Sequence, residues 1–241
     1  MLNRVKFFLS HLSISIILAA IVVFVVFYIW YPSPLSKALD VTHIFWMLLF
    51  IDIVLGPVLG FVVYNEKKKS LKFDLSIIIV IQIMALIFGL YSISQGRPGW
   101  VVYNGNKFEL IRSNDLFIDQ NNKNQKINPS WLGPQYVGVL RSSDPKQRDD
   151  ELFADALGSI SLAQRSDLYV DLLKVSNQIH NHAIDLKKLN SFNAEIDVDT
   201  ILQKYPQATA WLPLKANAVD MVVLLDKNAE VVKIVDLRPW N

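Results

Sequence analysis

One acidic residue lies inside an apolar stretch that is long enough to cross a lipid bilayer. Asp52 stands near the middle of residues 43–64, which read HIFWMLLFIDIVLGPVLGFVVY. A charged side chain in hydrocarbon costs about 2.5 to 3.5 kcal/mol on insertion scales, so it needs a compensating partner. The chemistry that this carboxylate offers is hydrogen bonding or ion pairing within the membrane. Asp52 is therefore the first candidate for a functional residue.

Two glycines and a proline follow Asp52 along the same stretch. Gly56 and Gly60 lie four and eight residues after the acid, so the three residues share one face of a helix. The GxxxG spacing of the glycines allows a second helix to approach closely. Pro57 removes a backbone donor and is expected to kink the helix. The pattern predicts a surface on which another helix docks.

The distribution of apolar residues predicts three membrane helices, at about residues 7–31, 43–64 and 73–93. Each has about the 20 apolar residues that a bilayer requires. The first apolar run is longer than that of a cleaved signal peptide, so we expect it to remain as an anchor. Residues 1–95 are thus predicted to form a three-span transmembrane domain. His11 is expected to extend toward the inner membrane surface.

Gln82 is a strongly polar residue within the third span. The helical rise places it at about the same depth as Asp52, so we expect a hydrogen bond between the two side chains. One interpretation is that the pair holds spans two and three together, as polar side chains commonly do in helix bundles. The other is that the pair receives a membrane helix of a partner. The sequence is consistent with both.

Basic residues predict how the chain crosses the membrane. Arg4 and Lys6 precede the first span, and the second connection reads NEKKKSLKF. Because cytoplasmic loops are enriched in lysine and arginine, the N-terminus and this connection are expected in the cytoplasm. Residues 96–241 then lie on the far side of the membrane. Arg97, directly after the third span, is a candidate for contact with lipid phosphates or with an acidic group of a partner.

Residues 96–241 read as an α+β domain. Asn104-Gly105-Asn106 separates WVVY from KFELI, which is typical of a β-hairpin. A second hairpin is predicted around residues 227–229, between two segments rich in β-branched residues. Helical spacing from Tyr169 to Ile179 predicts a helix. We expect an antiparallel sheet of four to six strands.

Composition and motifs exclude several classes of function. The chain has no cysteine, which removes disulfides, thiol catalysis and Cys-ligated metals. Its net charge of +2 is small, and nucleic acid binding requires clustered basic residues. His180 and His182 have no third ligand nearby in the sequence, so no metal is expected. Without a nucleophile elbow or a phosphate loop, we expect no catalytic residues, no cofactor and no enzymatic activity.

Several short motifs occur in a characteristic order along the chain. They are Asp52 followed by Gly56-Pro57-Val58-Leu59, then Gly96-Arg97-Pro98, Lys107-Phe108, Pro213-Leu214 and the closing Pro239-Trp240. In this order they resemble the TfpX/TfpZ family of type IV pilin accessory proteins. The resemblance covers almost the whole chain and is least distinct between about residues 120 and 193.

The resemblance implies an inner-membrane protein of Gram-negative bacteria with a periplasmic C-terminal domain. Such a protein assists the stability or assembly of a cognate major pilin, in the manner of a chaperone. We expect contact with the pilin helix in the membrane and with the pilin head in the periplasm, and membrane lipids as further partners. The candidate contact residues are Asp52, Gly56, Pro57, Gly60, Gln82 and Arg97. The alternative is a membrane-anchored periplasmic sensor or ligand-binding domain, in which Asp52 is structural.

Overall fold

The computed structural model describes residues 2–117, 129–140 and 161–241. Its residue contacts divide the chain into two compact units. The helical unit contains residues 1–32 and 41–96, and the sheet unit contains residues 33–40 and 97–241.

Three long helices form the helical unit. Helix α1 spans Leu2–Phe24 and continues as a π-helical segment at Val25–Trp30; α3 spans Val41–Val63 and α4 spans Leu71–Gln95. All three are long and apolar enough to cross a membrane. They confirm the three predicted apolar helices and are compatible with membrane insertion.

Helix α3 is the centre of the helical unit, because α1 and α4 both pack against it. Its buried residues include Phe45, Leu49, Asp52, Gly56 and Gly60, which recur at the helical period. The predicted common face of the acid and the two glycines is therefore present and buried. Helix α3 continues through its proline to the end of the apolar stretch.

The sheet unit contains a sheet of eight described strands in the order β4-β3-β1-β2-β6-β7-β8, with β5 paired to β6. The strands are β1 Pro98–Asn104, β2 Lys107–Arg112, β3 Gln135–Val139, β4 Tyr169–Asp171, β5 Ile184–Asp185, β6 Ala210–Lys215, β7 Met221–Leu225 and β8 Val231–Val235.

Both predicted hairpins are confirmed, as the antiparallel pairs β1–β2 and β7–β8. Gly105, in the first turn, has a φ of 71°, which a residue with a Cβ rarely adopts. The predicted α+β fold class is confirmed. The expectations of an antiparallel sheet and of four to six strands are wrong in detail. Strand β3 joins β1 in parallel and β6 joins β2 in parallel, so the sheet is mixed. The reason is that β3 and β6 reach their neighbours after long crossovers, which local patterns do not reveal.

Apolar residues cover both faces of the sheet. In β7, Met221 and Val223 lie in the core beside helix α5, Ser176–His182. Val222, between them in the chain, lies in the core beside helix α6, Glu195–Lys204. The strand is therefore apolar on both sides, as its continuous hydrophobic run requires.

The helix predicted from Tyr169 to Ile179 is only partly present. Tyr169–Asp171 is strand β4, and a 3₁₀ turn follows at Leu172–Val175 before α5 begins. The Asp171 side chain accepts a hydrogen bond from the Leu173 amide at 2.8 Å, which opens the turn. The helix opening that the Asp-Pro pair at residues 144–145 suggests lies outside the described residues.

The connection between α1 and α3 is part of the sheet unit. It contains a short helix, α2, at Leu35–Ala38. Leu35 and Ala38 are buried in the same core as the central strands. The Ala38 carbonyl accepts a hydrogen bond from the Ala218 amide at 3.0 Å, and Lys37 Nζ lies 2.6 Å from Asp236 Oδ2. The segment is therefore integrated into the sheet unit by apolar burial and by polar contacts.

Candidate functional site

The helical unit contains a cavity of about 190 Å³ that three helices line. Helices α1 and α4 form its sides, and α3, on which both pack, forms its floor. The lining combines four polar residues with apolar ones: His11, Ser15, Asp52 and Gln82, then Ile14, Leu18, Ala19, Leu49, Ile79, Ile83 and Leu86. Asp52 and Gln82, the two polar residues that the sequence predicted to meet, are both present.

The Gln82 amide connects all three helices. Its Nε2 donates to the main-chain carbonyl of Asp52 at 2.7 Å and to Ser15 Oγ at 3.2 Å. Its Oε1 lies 3.0 Å from His11 Nε2. A carbonyl oxygen only accepts hydrogen bonds, so the bond to Asp52 fixes which end of the amide is the NH₂ group. It follows that His11 Nε2 is the donor to Gln82 Oε1.

The hydrogen bond predicted between the Asp52 and Gln82 side chains takes a different form. Gln82 does bind Asp52, but at its main-chain oxygen rather than at its carboxylate. The reason is the close approach at Gly56, where an added Cβ would lie 1.9 Å from Gln82 Oε1. Because glycine leaves this space open, the amide reaches the backbone of α3 directly.

The surface formed by the two glycines is occupied within the chain. Gly56 lies against Gln82 of α4, and a Cβ at Gly60 would lie 2.8 Å from Phe7 Cε1 of α1. Gly56, Pro57 and Gly60 are all buried. The close approach that the GxxxG spacing predicts is thus made by this chain's own helices. The part of the face that lines an accessible space is Asp52, at the floor of the cavity.

The Asp52 carboxylate is incompletely satisfied. The residue is 9% exposed, and its Oδ2 atom has no hydrogen-bond partner among the described residues. A buried acceptor without a partner costs about 1 to 3 kcal/mol, and more when it is charged. The cavity therefore presents an acceptor that a donor or a cation from outside the chain would satisfy.

Two polar residues of this site were not predicted from the sequence. His11 and Ser15 lie four residues apart on α1, so they share a face, and both contact Gln82. The expectation that His11 extends to the membrane surface is wrong, because its ring bonds to the third helix. The i, i+4 spacing of two polar residues in an apolar helix was the signal for this contact.

Arg97 is separate from this site and belongs to the sheet unit. It is 6% exposed, and its guanidinium carbon lies 4.6 Å from the centre of the Trp131 ring. Its Nη2 also lies 3.5 Å from the Pro129 carbonyl oxygen. The side chain is therefore packed inside its own unit, against Pro129 and Trp131.

The sheet unit has a buried carboxylate of its own, Glu109. Its two oxygens accept hydrogen bonds from Asn104 Nδ2 and Ser161 Oγ, each at 2.9 Å. Burial raises the pKa of the neighbouring Tyr169 hydroxyl, and the negative charge of Glu109 raises that pKa further. Both carboxylate oxygens have donors, in contrast to Asp52. Glu109 therefore stabilises the sheet unit rather than presenting a vacant acceptor.

The fold defines a membrane-anchored α+β protein, with three apolar helices followed by a mixed-sheet domain. A family profile described as fimbrial assembly protein FimB matches residues 1–39. The serogroup I fimbrial assembly protein of Dichelobacter nodosus is 30% identical over 245 residues, covering 96% of this chain and 94% of that protein. The serogroup E1 protein of the same organism is 29% identical, with the same coverage. The chain belongs to the fimbrial assembly protein family.

A third relative, the Dichelobacter nodosus fimbrial assembly protein of serogroups C1 and C2, is 33% identical over 112 residues. This match covers 46% of the chain and 86% of that protein. No solved structure matches the chain.

Proposed function

We propose that this chain is a non-enzymatic accessory protein of the TfpX/TfpZ type, which assists the stability or assembly of a cognate major type IV pilin. The two relatives that match almost the whole chain are named fimbrial assembly proteins, which supports a role in building pili. The order of the sequence motifs supports the finer assignment.

The observation that carries the proposal is the vacant acceptor at Asp52 Oδ2 in the membrane cavity. A pilin awaiting assembly is held in the membrane by a long apolar helix with a polar feature near its charged N-terminus. We infer that this helix lies across the mouth of the cavity, between α1 and α4. A donor on the pilin helix then pairs with Asp52.

The size of the cavity is consistent with insertion of a side chain rather than of a whole helix. A dry cavity of about 150 Å³ accommodates benzene, and this one measures about 190 Å³. Ile14, Ile79 and Ile83 line it and are also partly or largely exposed. These residues would pack against the apolar surface of the pilin helix while its polar group reaches the floor.

A second contact in the periplasm would provide selectivity. The sheet unit is tethered directly to α4, so contact with the pilin head becomes an intramolecular event once the membrane helix has docked. Two weak contacts on one chain then hold the pilin more strongly than either does alone.

This function requires the chain to lie in the inner membrane with its N-terminus in the cytoplasm and its sheet unit in the periplasm. The lysine-rich second connection supports this orientation. Alkaline phosphatase, which is active only in the periplasm, should be active when fused after Asn241 and inactive when inserted after Lys69. The reverse pattern would contradict the proposed orientation.

Gene deletion tests the proposed function most broadly. We expect surface pili to be lost and to return when the wild-type chain is supplied. Total pilin, measured separately by immunoblot, distinguishes the two roles: a fall indicates stabilisation, and an unchanged amount indicates a role in assembly. Normal surface pili in the deletion strain would contradict the proposal.

A further inference from the structure

The loop before strand β3 carries two neighbouring apolar side chains in solvent. Trp131 is 63% exposed and Leu132 is 84% exposed. Leu132 is the most exposed of the large hydrophobic residues in the described part of the chain. Adjacent exposed apolar side chains form a small apolar patch of the kind that contacts another surface.

This loop is fixed to the first residues of the sheet unit. The Trp131 ring lies against the buried Arg97 guanidinium, at 4.6 Å from its central carbon. The loop also contacts the backbone at Gly99, where an added Cβ would lie 3.1 Å from Pro129 Cβ. The position of the loop is therefore set by the start of strand β1.

The chain places the start of β1 close to the membrane. Arg97 follows Gln95, the last residue of α4, by two residues, which span at most about 8 Å. Helix α4 has 25 residues, so it is about 37 Å long. A bilayer with its headgroups is about 40 to 45 Å thick, so α4 ends within or just outside the headgroup layer. Arg97 and the loop packed on it must lie near that layer.

We propose that Trp131 and Leu132 insert into the lipid headgroup region, in the leaflet where α4 ends. Tryptophan is enriched at this depth because its ring is apolar and its N–H is polar. Leu132, at the adjacent position, extends the apolar contact toward the acyl chains. The inserted loop would attach the sheet unit to the lipid surface at a second point in the chain.

This inference is independent of the proposed role in pilus assembly. It requires only that α4 spans the bilayer. The partner is the lipid surface, and a protein partner on the same side chains is an outcome that the following experiment detects.

The absence of cysteine allows a direct measurement of depth in the full chain. A nitroxide at Leu132→Cys is measured by EPR in phosphatidylcholine–phosphatidylglycerol vesicles without pilin, using oxygen and a water-soluble nickel chelate as relaxation agents. Met84→Cys, exposed on α4, calibrates the membrane interior. Ile196→Cys, exposed on α6, is the matched control in the sheet unit.

We expect the nitroxide at residue 132 to collide with the nickel chelate several-fold less often than the nitroxide at residue 196, and more often than the one at residue 84. Equal nickel accessibility at residues 132 and 196 would overturn the proposal and would indicate that the loop is left for a protein partner. Because Leu132 is almost fully exposed, its replacement is not expected to impair folding.

Tryptophan fluorescence provides a second readout that does not require a label. Lipids brominated near the headgroup should quench part of the emission of the wild-type chain. We expect Trp131→Phe to remove a component that is quenched, whereas Trp211→Phe, which replaces a tryptophan buried in the core of the sheet unit, should remove one that is not. An unchanged quenched fraction in Trp131→Phe would also overturn the proposal.

Discussion

Asp52 differs from the other buried carboxylate of the described chain in what surrounds it. Glu109 has a donor on each oxygen, whereas Oδ2 of Asp52 has none among the described residues. A buried acceptor is normally satisfied, so an exception calls for a physical explanation. The proposed donor on a partner helix would satisfy this acceptor at the floor of the cavity.

Replacing Asp52 should weaken the recovery of pilin with this protein. Hydrogen bonds between membrane helices contribute about 0.6 to 1.7 kcal/mol, so Asp52→Leu should lower the co-purified pilin about 3- to 20-fold. Asp52→Asn keeps an acceptor oxygen and should lower it less. The measurement is the amount of pilin that co-purifies with equal amounts of each tagged variant.

Asp74→Asn is the matched control for these variants, because Asp74 is a carboxylate of the same unit that lies outside the cavity and pairs with Lys68. It should leave the recovery of pilin unchanged. If Asp52→Leu recovered as much pilin as the wild type, the role assigned to the vacant acceptor would be wrong.

At the level of elements, a single amide joins the three membrane helices. Gln82 of α4 bonds to α1 at His11 and Ser15, and to the backbone of α3. This arrangement depends on Gly56, because any Cβ there would occupy the space of the amide. The hydrogen bonds of Gln82 therefore join the helices, and the absence of a side chain at Gly56 makes room for them.

Gly56→Ala should destabilise the helical unit by about 1 to 3 kcal/mol, the usual cost of overpacking. The double variant Gly56→Ala/Gln82→Ala should lose less than the sum of the two single losses, because removal of the amide also removes the clash. The measurement is SDS-induced unfolding of each variant in mixed micelles.

Gly89→Ala is the comparison for Gly56→Ala. Its Cβ would meet the end of the Leu48 side chain, which carries no hydrogen bonds and can rotate away. We expect a smaller loss of stability than for Gly56→Ala. For the double variant Gly56→Ala/Gln82→Ala, a loss of stability equal to the sum of the two single losses would show that Gly56 and Gln82 do not interact as described.

The sequence predicts elements well where the signal is local. The three apolar helices and both hairpins follow from hydrophobic length, alternation and turn residues. The depth of Gln82 in the membrane follows from the helical rise. The atom of Asp52 to which it bonds does not, because the choice of acceptor depends on how closely α3 and α4 approach at Gly56. Strands β4 and β5 contain only three and two residues, too few to show alternation.

At the level of the whole molecule, the connection between α1 and α3 has a structural role that its sequence did not suggest. In the sequence, Lys37 lies in the connection between the first and second predicted spans, residues 32–42. In the structure, Leu35 and Ala38 are buried in the core of the sheet unit. Which loop enters a distant core depends on tertiary packing, and a single sequence carries no local pattern for it.

Leu35→Ala should therefore destabilise the sheet unit by about 2 to 5 kcal/mol, as is usual for truncation of a buried leucine. Lys37→Ala, two residues away, removes an exposed ion pair with Asp236 and should cost at most about 1 kcal/mol. Denaturant unfolding of the full chain in detergent, followed by the fluorescence of the buried Trp100 and Trp211, measures both.

Equal stability of the Leu35 and Lys37 variants would contradict the packing described for α2. A loss of stability in the Leu35 variant alone would show that the connection contributes to the folding of the sheet unit. Helices α3 and α4 separate this connection from the rest of that unit in the sequence.

The central claim is that the pilin helix lies across the mouth of the cavity between α1 and α4, and photocrosslinking tests it most directly. A photoreactive residue replaces Ile83, which lines the cavity, or Ile81, which is exposed on the same helix at nearly the same depth but does not line it. With the pilin co-expressed, we predict pilin adducts from position 83 and few or none from position 81. Intramolecular adducts alone at position 83, or equal pilin adducts at both positions, would contradict the account.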